Sequence, residues 1–198
     1  MARIVGSGLA NILNGTSLGD LLQGLGGNDT LRGLRGTDVL EGGAGHDKLF
    51  GGLGNDLLRG GRGDDRLVGD AGNDQLNGNE GRDILTGGAG RDTFIFKHAR
   101  ETRPGSSADV VTDFTRQDTL HLKNIDAVKN VAGNQDFTFI GNSGFSGHAG
   151  ELNYRFIGSG AQAKTIVAGD QNGDGNADFE IILLKHIAIS KANIFGDL

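Results

Sequence analysis

One apolar position recurs every nine residues along the first half of the chain. It is occupied by Leu13, Leu22, Leu31, Leu40, Leu49, Leu58, Leu67, Leu76, Leu85 and Phe94, and Ile4 stands in the same phase one period upstream. Two residues before each comes a short polar acceptor: Asn11, Asp20, Asp29, Asp38, Asp47, Asp56, Asp65, Asp74, Asp83 and Asp92. Glycine dominates the rest, so the stretch from Gly6 to Ile95 reads as ten uninterrupted copies of Gly-Gly-x-Gly-x-Asp-x-Leu-x. Side chains alternate faces along a strand, so a three-residue strand centred on the leucine points it inward and its neighbours outward. The six glycine-rich residues supply the turn. Two units then make an 18-residue coil. One leucine column runs Leu13, Leu31, Leu49, Leu67, Leu85, and the facing column runs Leu22, Leu40, Leu58, Leu76, Phe94. The expected architecture is an all-β parallel solenoid whose core is one residue wide on each sheet.

Composition agrees with this and narrows the function. The 37 glycines and absence of tryptophan among 198 residues argue against an ordinary packed core, and the strict period argues against a disordered linker. With no cysteine there are no disulfides, thiolate metal sites or cysteine nucleophile. The formal charge of -6 is spread evenly over the repeats, which does not suit a nucleic-acid partner. No apolar run after Met1 suggests a cleaved signal peptide, and none is long enough for stable membrane insertion.

The aspartates stack by the same arithmetic as the leucines. At a strand spacing of roughly 4.8 Å, repulsion between neighbouring carboxylates is about 3 to 4 kcal/mol at an effective dielectric near 20. A hard divalent cation between coils reverses that sign, and carboxylates with turn carbonyls form the all-oxygen shell that Ca²⁺ prefers. Calcium is therefore the expected cofactor, with folding dependent on it. The alternative is a ladder of Asx turns that needs no metal.

The repeat resembles the RTX nonapeptide of haemolysin-type proteins exported by type I secretion, a resemblance that implies a right-handed parallel β-roll. It also implies ions held between unit n and unit n+2 by both sixth-position aspartates, pairing Asp29/Asp47, Asp38/Asp56, Asp47/Asp65, Asp56/Asp74, Asp65/Asp83 and Asp74/Asp92. Backbone carbonyls of the loops complete the implied shells, at Gly36, Gly43, Gly45, Gly52, Gly54, Gly61, Gly63 and Gly72. The first units depart from the pattern, with Leu9 and Asn11 in unit one and Thr16, Ser17 and Leu18 before Asp20. Both ends of the roll are expected to be looser than its middle.

After Ile95 the phase fails and Phe, Ile, Val and Thr replace glycine. Short strands are expected within 92–96, 108–114, 119–122, 137–140, 152–156, 164–167 and 179–184, forming a β-sandwich-like cap on the last coil. The domains are thus 1–95 and 96–198. Asp92-Thr-Phe, Asp109-Val-Val-Thr-Asp113-Phe114, Gln117-Asp118-Thr-Leu, Phe137-Thr-Phe-Ile-Gly, Phe145-Ser-Gly and Gly150-Glu-Leu-Asn-Tyr154 make this half resemble the C-terminal domain of serralysin-type metalloproteases. That likeness implies a terminal calcium site using Asp109, Asp113 and Asp118, although His121 stands where the family has a further aspartate. Asp170, Asn172, Asp174 and Asp178 place oxygen donors at calcium-loop spacing around glycines, which also suits a plain hairpin turn. The resemblance puts an uncleaved export signal at Ile187–Leu198, where the chain could equally close the cap.

No catalytic constellation accompanies these elements. The five histidines lack His-Glu-x-x-His spacing, and Gly144-Phe-Ser146-Gly147-His148 misses the last glycine of a hydrolase elbow. The expected function is a non-catalytic calcium-binding domain, binding about six or more ions, that folds outside the cell and supports type I secretion and stability of an exported protein. Its expected partners are calcium and the secretion apparatus, and its place is extracellular. The alternatives are a small standalone calcium-binding protein or a module for anionic polysaccharide, the latter suggested by the outward Arg32, Lys48 and Arg66 and by likeness to alginate epimerase modules.

Overall fold

The computed structural model describes residues 1–122, 125–128 and 135–195. The first eleven strands follow the nine-residue period: β1 (Arg3–Val5), β2 (Ile12–Asn14), β3 (Leu21–Gly26), β4 (Thr30–Arg35), β5 (Val39–Ala44), β6 (Lys48–Leu53), β7 (Leu57–Arg62), β8 (Arg66–Ala71), β9 (Gln75–Glu80), β10 (Ile84–Ala89) and β11 (Thr93–Ile95). Odd strands stack on odd and even on even, always parallel and 18 residues apart, as in Leu22↔Leu40↔Leu58 and Leu31↔Leu49↔Leu67. The chain is a β-solenoid. The two leucine columns meet between the sheets, and Leu22, Leu31, Leu40, Leu49, Leu58, Leu67, Leu76 and Leu85 are all fully buried. Each contributes about 1.5 to 3 kcal/mol by leaving water.

The interior strands are six residues long, not three, because the ladder runs on through the first glycines of the next unit, as in Gly43↔Gly61 and Ala44↔Arg62. Those positions carry no alternating side-chain signal, since the pairing there is backbone against backbone.

Past Ile95 the sheets continue. A segment containing two short 3-10 turns, Ala99–Glu101 and Gly105–Ser107, lengthens the next coil. The chain then re-enters both sheets as β12 (Asp109–Val111), stacked on β10, and β13 (Thr119–His121), stacked on β11. Val111 and Leu120 extend the two apolar columns through Leu85↔Val111 and Phe94↔Leu120. The remaining strands are β14 (Thr138–Phe139), β15 (Glu151–Ile157), β16 (Lys164–Asp170) and β17 (Phe179–Leu183), followed by helix α1 (Lys191–Phe195).

These strands do not build a sandwich of their own. β17 pairs parallel with β12, β16 and β15 follow antiparallel, and β14 ends the row, so one 10-stranded sheet runs from β2 to β14. The exposed edge of β12 explains this arrangement, because an unpaired ladder at the end of a solenoid is covered most directly by another strand. The other sheet ends at β13, on which α1 packs. Asn193 of α1 donates its side-chain amide to the Arg116 and Asp118 carbonyls at 3.0 and 3.2 Å, and Ile194 is fully buried. The C-terminal end of the roll is consequently closed. Only the N-terminal end is loose, with Ile4 and Leu13 half-buried and Val5, Leu9, Ile12 and Leu18 exposed. The last residues of the expected export signal, 196–198, lie outside the described residues.

Candidate metal centre

Each sixth-position aspartate sits where a strand begins, at the edge between the two sheets. Its Oδ1 accepts the backbone N–H of the equivalent residue one coil earlier: Asp29 from Asn11 at 2.6 Å, Asp47 from Asp29, Asp65 from Asp47, and on the other edge Asp38 from Asp20, Asp56 from Asp38 and Asp74 from Asp56, all at 2.7 to 2.8 Å. Asp83 and Asp92 accept in the same way from Asp65 and Asp74. The second oxygen is different. Oδ2 of Asp29, Asp38, Asp47, Asp56, Asp65, Asp74, Asp83 and Asp92 is buried with no hydrogen-bond partner. A buried carboxylate oxygen without a donor is costly, and a whole column of them calls for a counter-charge.

The glycines border the same hollow. A Cβ placed on Gly51 would lie 2.5 Å from Asp56 Oδ2 and 2.8 Å from the Gly69 carbonyl oxygen, and Gly24, Gly33, Gly42, Gly60 and Gly69 are framed alike. A carboxylate oxygen and a main-chain carbonyl oxygen thus lie together against each of these glycines, where a side chain would collide with both. Hard oxygen donors of this kind are the donor set of Ca²⁺. The residues present fit that ion. Among the described residues no three His, Cys, Asp or Glu side chains converge, so the fit rests on carboxylate pairs and main-chain carbonyls.

The electrostatics follow from burial more than from mutual repulsion. Loss of solvent raises the carboxyls of Asp38 and Asp47, and pushes Asp56 and Asp92 up to about 6, Asp74 and Asp83 to about 7 and Asp65 to about 8. The N–H bond from the preceding coil opposes the rise, and neighbouring carboxylates add a smaller part of it. Desolvation therefore exceeds repulsion between neighbouring aspartates as the cause of the rise.

Asp109 and Asp118 join the ladder. Asp83 N–H donates to Asp109 Oδ1 at 2.8 Å and Asp92 N–H to Asp118 Oδ1 at 2.9 Å, across a coil of 26 residues in place of 18. Burial pushes Asp109 up to about 9, with the Asp83 carboxylate adding to it. Asp113 is placed otherwise, its two oxygens accepting the Gly87 and Gly88 N–H groups at 2.9 and 2.7 Å. Asp20 is also satisfied by protein: Ala2 N–H reaches Oδ1, Thr16 N–H and hydroxyl reach Oδ2, and these bonds hold its carboxyl below the ordinary range.

The loop joining β16 to β17 brings Asp170, Asn172, Asp174 and Asp178 together as consecutive Asx turns. Asp170 accepts from the N–H groups of Asn172, Gly173 and Gly175, Asn172 from Asp174, Asp174 from Asn176, and Asp178 from Gln171. This loop is closed by its own amides and leaves no orphaned carboxylate. Ser146, by contrast, gains contacts that the sequence did not suggest: its hydroxyl lies 2.7 Å from His148 Nδ1 and 2.5 Å from Glu151. The serine bridges the other two, so the histidine is not interposed as a base between hydroxyl and carboxylate.

The three outward cations share one sheet but not one row. Lys48 pairs in register with Arg66, whereas Arg32 is opposite Phe50 and stacks over its ring at 5.7 Å.

The model of the RTX calcium-binding nonapeptide repeat matches in overlapping copies at residues 5–40, 14–49, 23–58, 32–67 and 59–94. Solved structures resembling the chain include the AlgE6R2 subunit of the mannuronan C5-epimerase of Azotobacter vinelandii, 26% identical, covering 98% of this chain and 92% of that one with a TM-score of 0.48. The AlgE6R3 subunit of the same enzyme is 23% identical over 96% of this chain and 80% of its own, with a TM-score of 0.48. The extracellular lipase LipA of Serratia marcescens is 17% identical over 98% of this chain and 40% of its own, with a TM-score of 0.34. No curated protein matches.

Proposed function

Residues 5–94 are RTX calcium-binding nonapeptide repeats, and from that premise we propose that the chain is a calcium-driven folding module of an exported protein. The observation that carries the reading is the column of buried, unpartnered Oδ2 atoms. Bound calcium would supply the positive charge that these oxygens lack. Asp29 through Asp92 and the loop carbonyls would hold it, while the leucine columns provide the core that forms once the carboxylates are neutralised. Calcium-poor cytoplasm would then keep the repeats open for type I export, and extracellular calcium would close them outside, given the dissociation constants of about 10⁻⁴ to 10⁻³ M usual for extracellular modules. The repeats act by binding and folding, not by catalysis.

The test is far-UV circular dichroism against calcium concentration, with magnesium as control and bound ions counted by equilibrium dialysis. A steep calcium-specific gain of β-structure with six or more ions supports the reading. β-structure that persists unchanged after chelation sinks it.

A second reading, recognition of an anionic polysaccharide, is favoured by the registered cations Lys48 and Arg66 on an exposed face. Absence of an alginate gel-shift in calcium with the parent chain would dispose of it, and a shift lost on reversing both charges would support it.

A further inference from the structure

The loops of the roll exist in two states. From Leu25 to Gly88 the second residue of every unit is left-handed, with φ between 70° and 127°. The aspartate closing each of those units, Asp29 to Asp92, keeps a buried Oδ2 with no partner. Three loops at the ends of the roll show neither property. Ser7 donates its N–H at 2.7 Å and its hydroxyl at 3.3 Å to Asn11 Oδ1. Thr16 donates both groups to Asp20 Oδ2 at 2.7 Å, and Thr115 donates both to Asp118 Oδ2 at 2.7 and 2.9 Å. None of the three residues is left-handed. In each loop the same hydroxyl also accepts an N–H two residues on, from Leu9, Leu18 and Gln117.

We propose that Ser7, Thr16 and Thr115 stand in for ions at the ends of the ladder: their N–H and hydroxyl groups occupy the side-chain oxygen that interior units leave for calcium. The inference rests on the calcium reading above and sharpens it. Two donors converging on one oxygen present the positive ends of their dipoles where a cation would have to sit. A left-handed second residue turns its N–H away from that oxygen, and glycine adopts that conformation without the penalty a Cβ imposes. Hydroxyl loops therefore finish the roll where a further coil is missing on one side and an ion would have an incomplete shell. Calcium is confined to the pairs in which both oxygens are unpartnered, namely Asp29/Asp47, Asp38/Asp56, Asp47/Asp65, Asp56/Asp74, Asp65/Asp83 and Asp74/Asp92.

Equilibrium dialysis with radioactive calcium on the full chain tests this. Asp20→Asn and Asp118→Asn should leave the number of bound ions unchanged, while Asp65→Asn should lower it. The double change Thr16→Gly with Leu18→Gly restores glycine where interior units are left-handed, frees Asp20 Oδ2, and should add one ion through the Asp20/Asp38 pair. Loss of an ion in Asp20→Asn or Asp118→Asn overturns the proposal, as does a folded double variant with an unchanged count. A parent chain that takes up no calcium refutes the underlying reading instead, so the two failures are distinguishable.

Discussion

Asp65→Asn separates two tasks of one carboxylate. Oδ1 accepts the Asp47 N–H at 2.7 Å, and the Asp65 N–H donates to Asp83 Oδ1 at 2.8 Å. Asparagine keeps that acceptor and that donor. It replaces the orphaned Oδ2 by an NH₂ group in a hollow bordered by the Gly78 carbonyl oxygen, which can accept from it. Without metal, burial raises the Asp65 carboxyl from 3.8 to about 8. At pH 7 the folded chain must therefore hold a proton that the unfolded chain has released, at about 1.4 kcal/mol per pH unit, which over the interval from 3.8 to 7 gives about 4 kcal/mol. Removing the charge should shift the metal-free equilibrium towards the folded form by that order. In calcium the effect should reverse, because Asp65 belongs to both the Asp47/Asp65 and Asp65/Asp83 pairs. Far-UV ellipticity retained in chelator and the thermal midpoint in calcium, both by circular dichroism, read the two signs. A variant destabilised equally in the two conditions would refute the reasoning, since the unpartnered oxygen would then not be the source of the metal-free cost.

The interior carboxyls have folded-state values above their unfolded ones, so their protonated form favours the fold; metal-free stability should be fullest below about pH 4 and decline as pH rises through about 6 to 8. Calcium affinity should run the opposite way, because its ligands must be deprotonated, and parallel pH titrations of ellipticity with and without calcium would expose a common trend if this is wrong. Leu34 is half-exposed in the left-handed region at φ 79°, so Leu34→Gly should raise the melting midpoint by an amount worth about 1 kcal/mol. Gly54→Ala should instead disrupt the roll, since its Cβ would collide with the Gly36 carbonyl oxygen at a φ of 134°; equal melting points for both variants would contradict the stacking described.

The period made the repeats legible because each unit repeats both the inward leucine and the stacked aspartate. The 18-residue register follows directly, and every strand expected after Ile95 has a counterpart within its expected bounds or within a few residues of them. The continuation of the roll was less visible, because the lengthened coil between Asp92 and Asp109 breaks the phase. A signal was nonetheless present: Asp109-Val-Val111 and Asp118-Thr-Leu120 repeat Asp-x-apolar at a nine-residue interval. The leucine and aspartate period does not by itself carry the state of each Oδ2, which depends on the residues of the preceding turn. Asp20 and Asp38 occupy the same position in the repeat, yet one meets a threonine and the other meets nothing.

The hydrogen bonds along the two aspartate edges all point one way, from each N–H forward to the carboxylate one coil later. The roll therefore has a direction, and its two ends are not equivalent to shortening. Stripping coils from the N-terminal side leaves behind carboxylate acceptors, which water satisfies readily. Stripping them from the C-terminal side leaves N–H donors at the edge of an apolar core together with the open ladder that β12 and β13 now cover. The closing segment in this sense shields the donor end of the roll, while the acceptor end is left for solvent to complete.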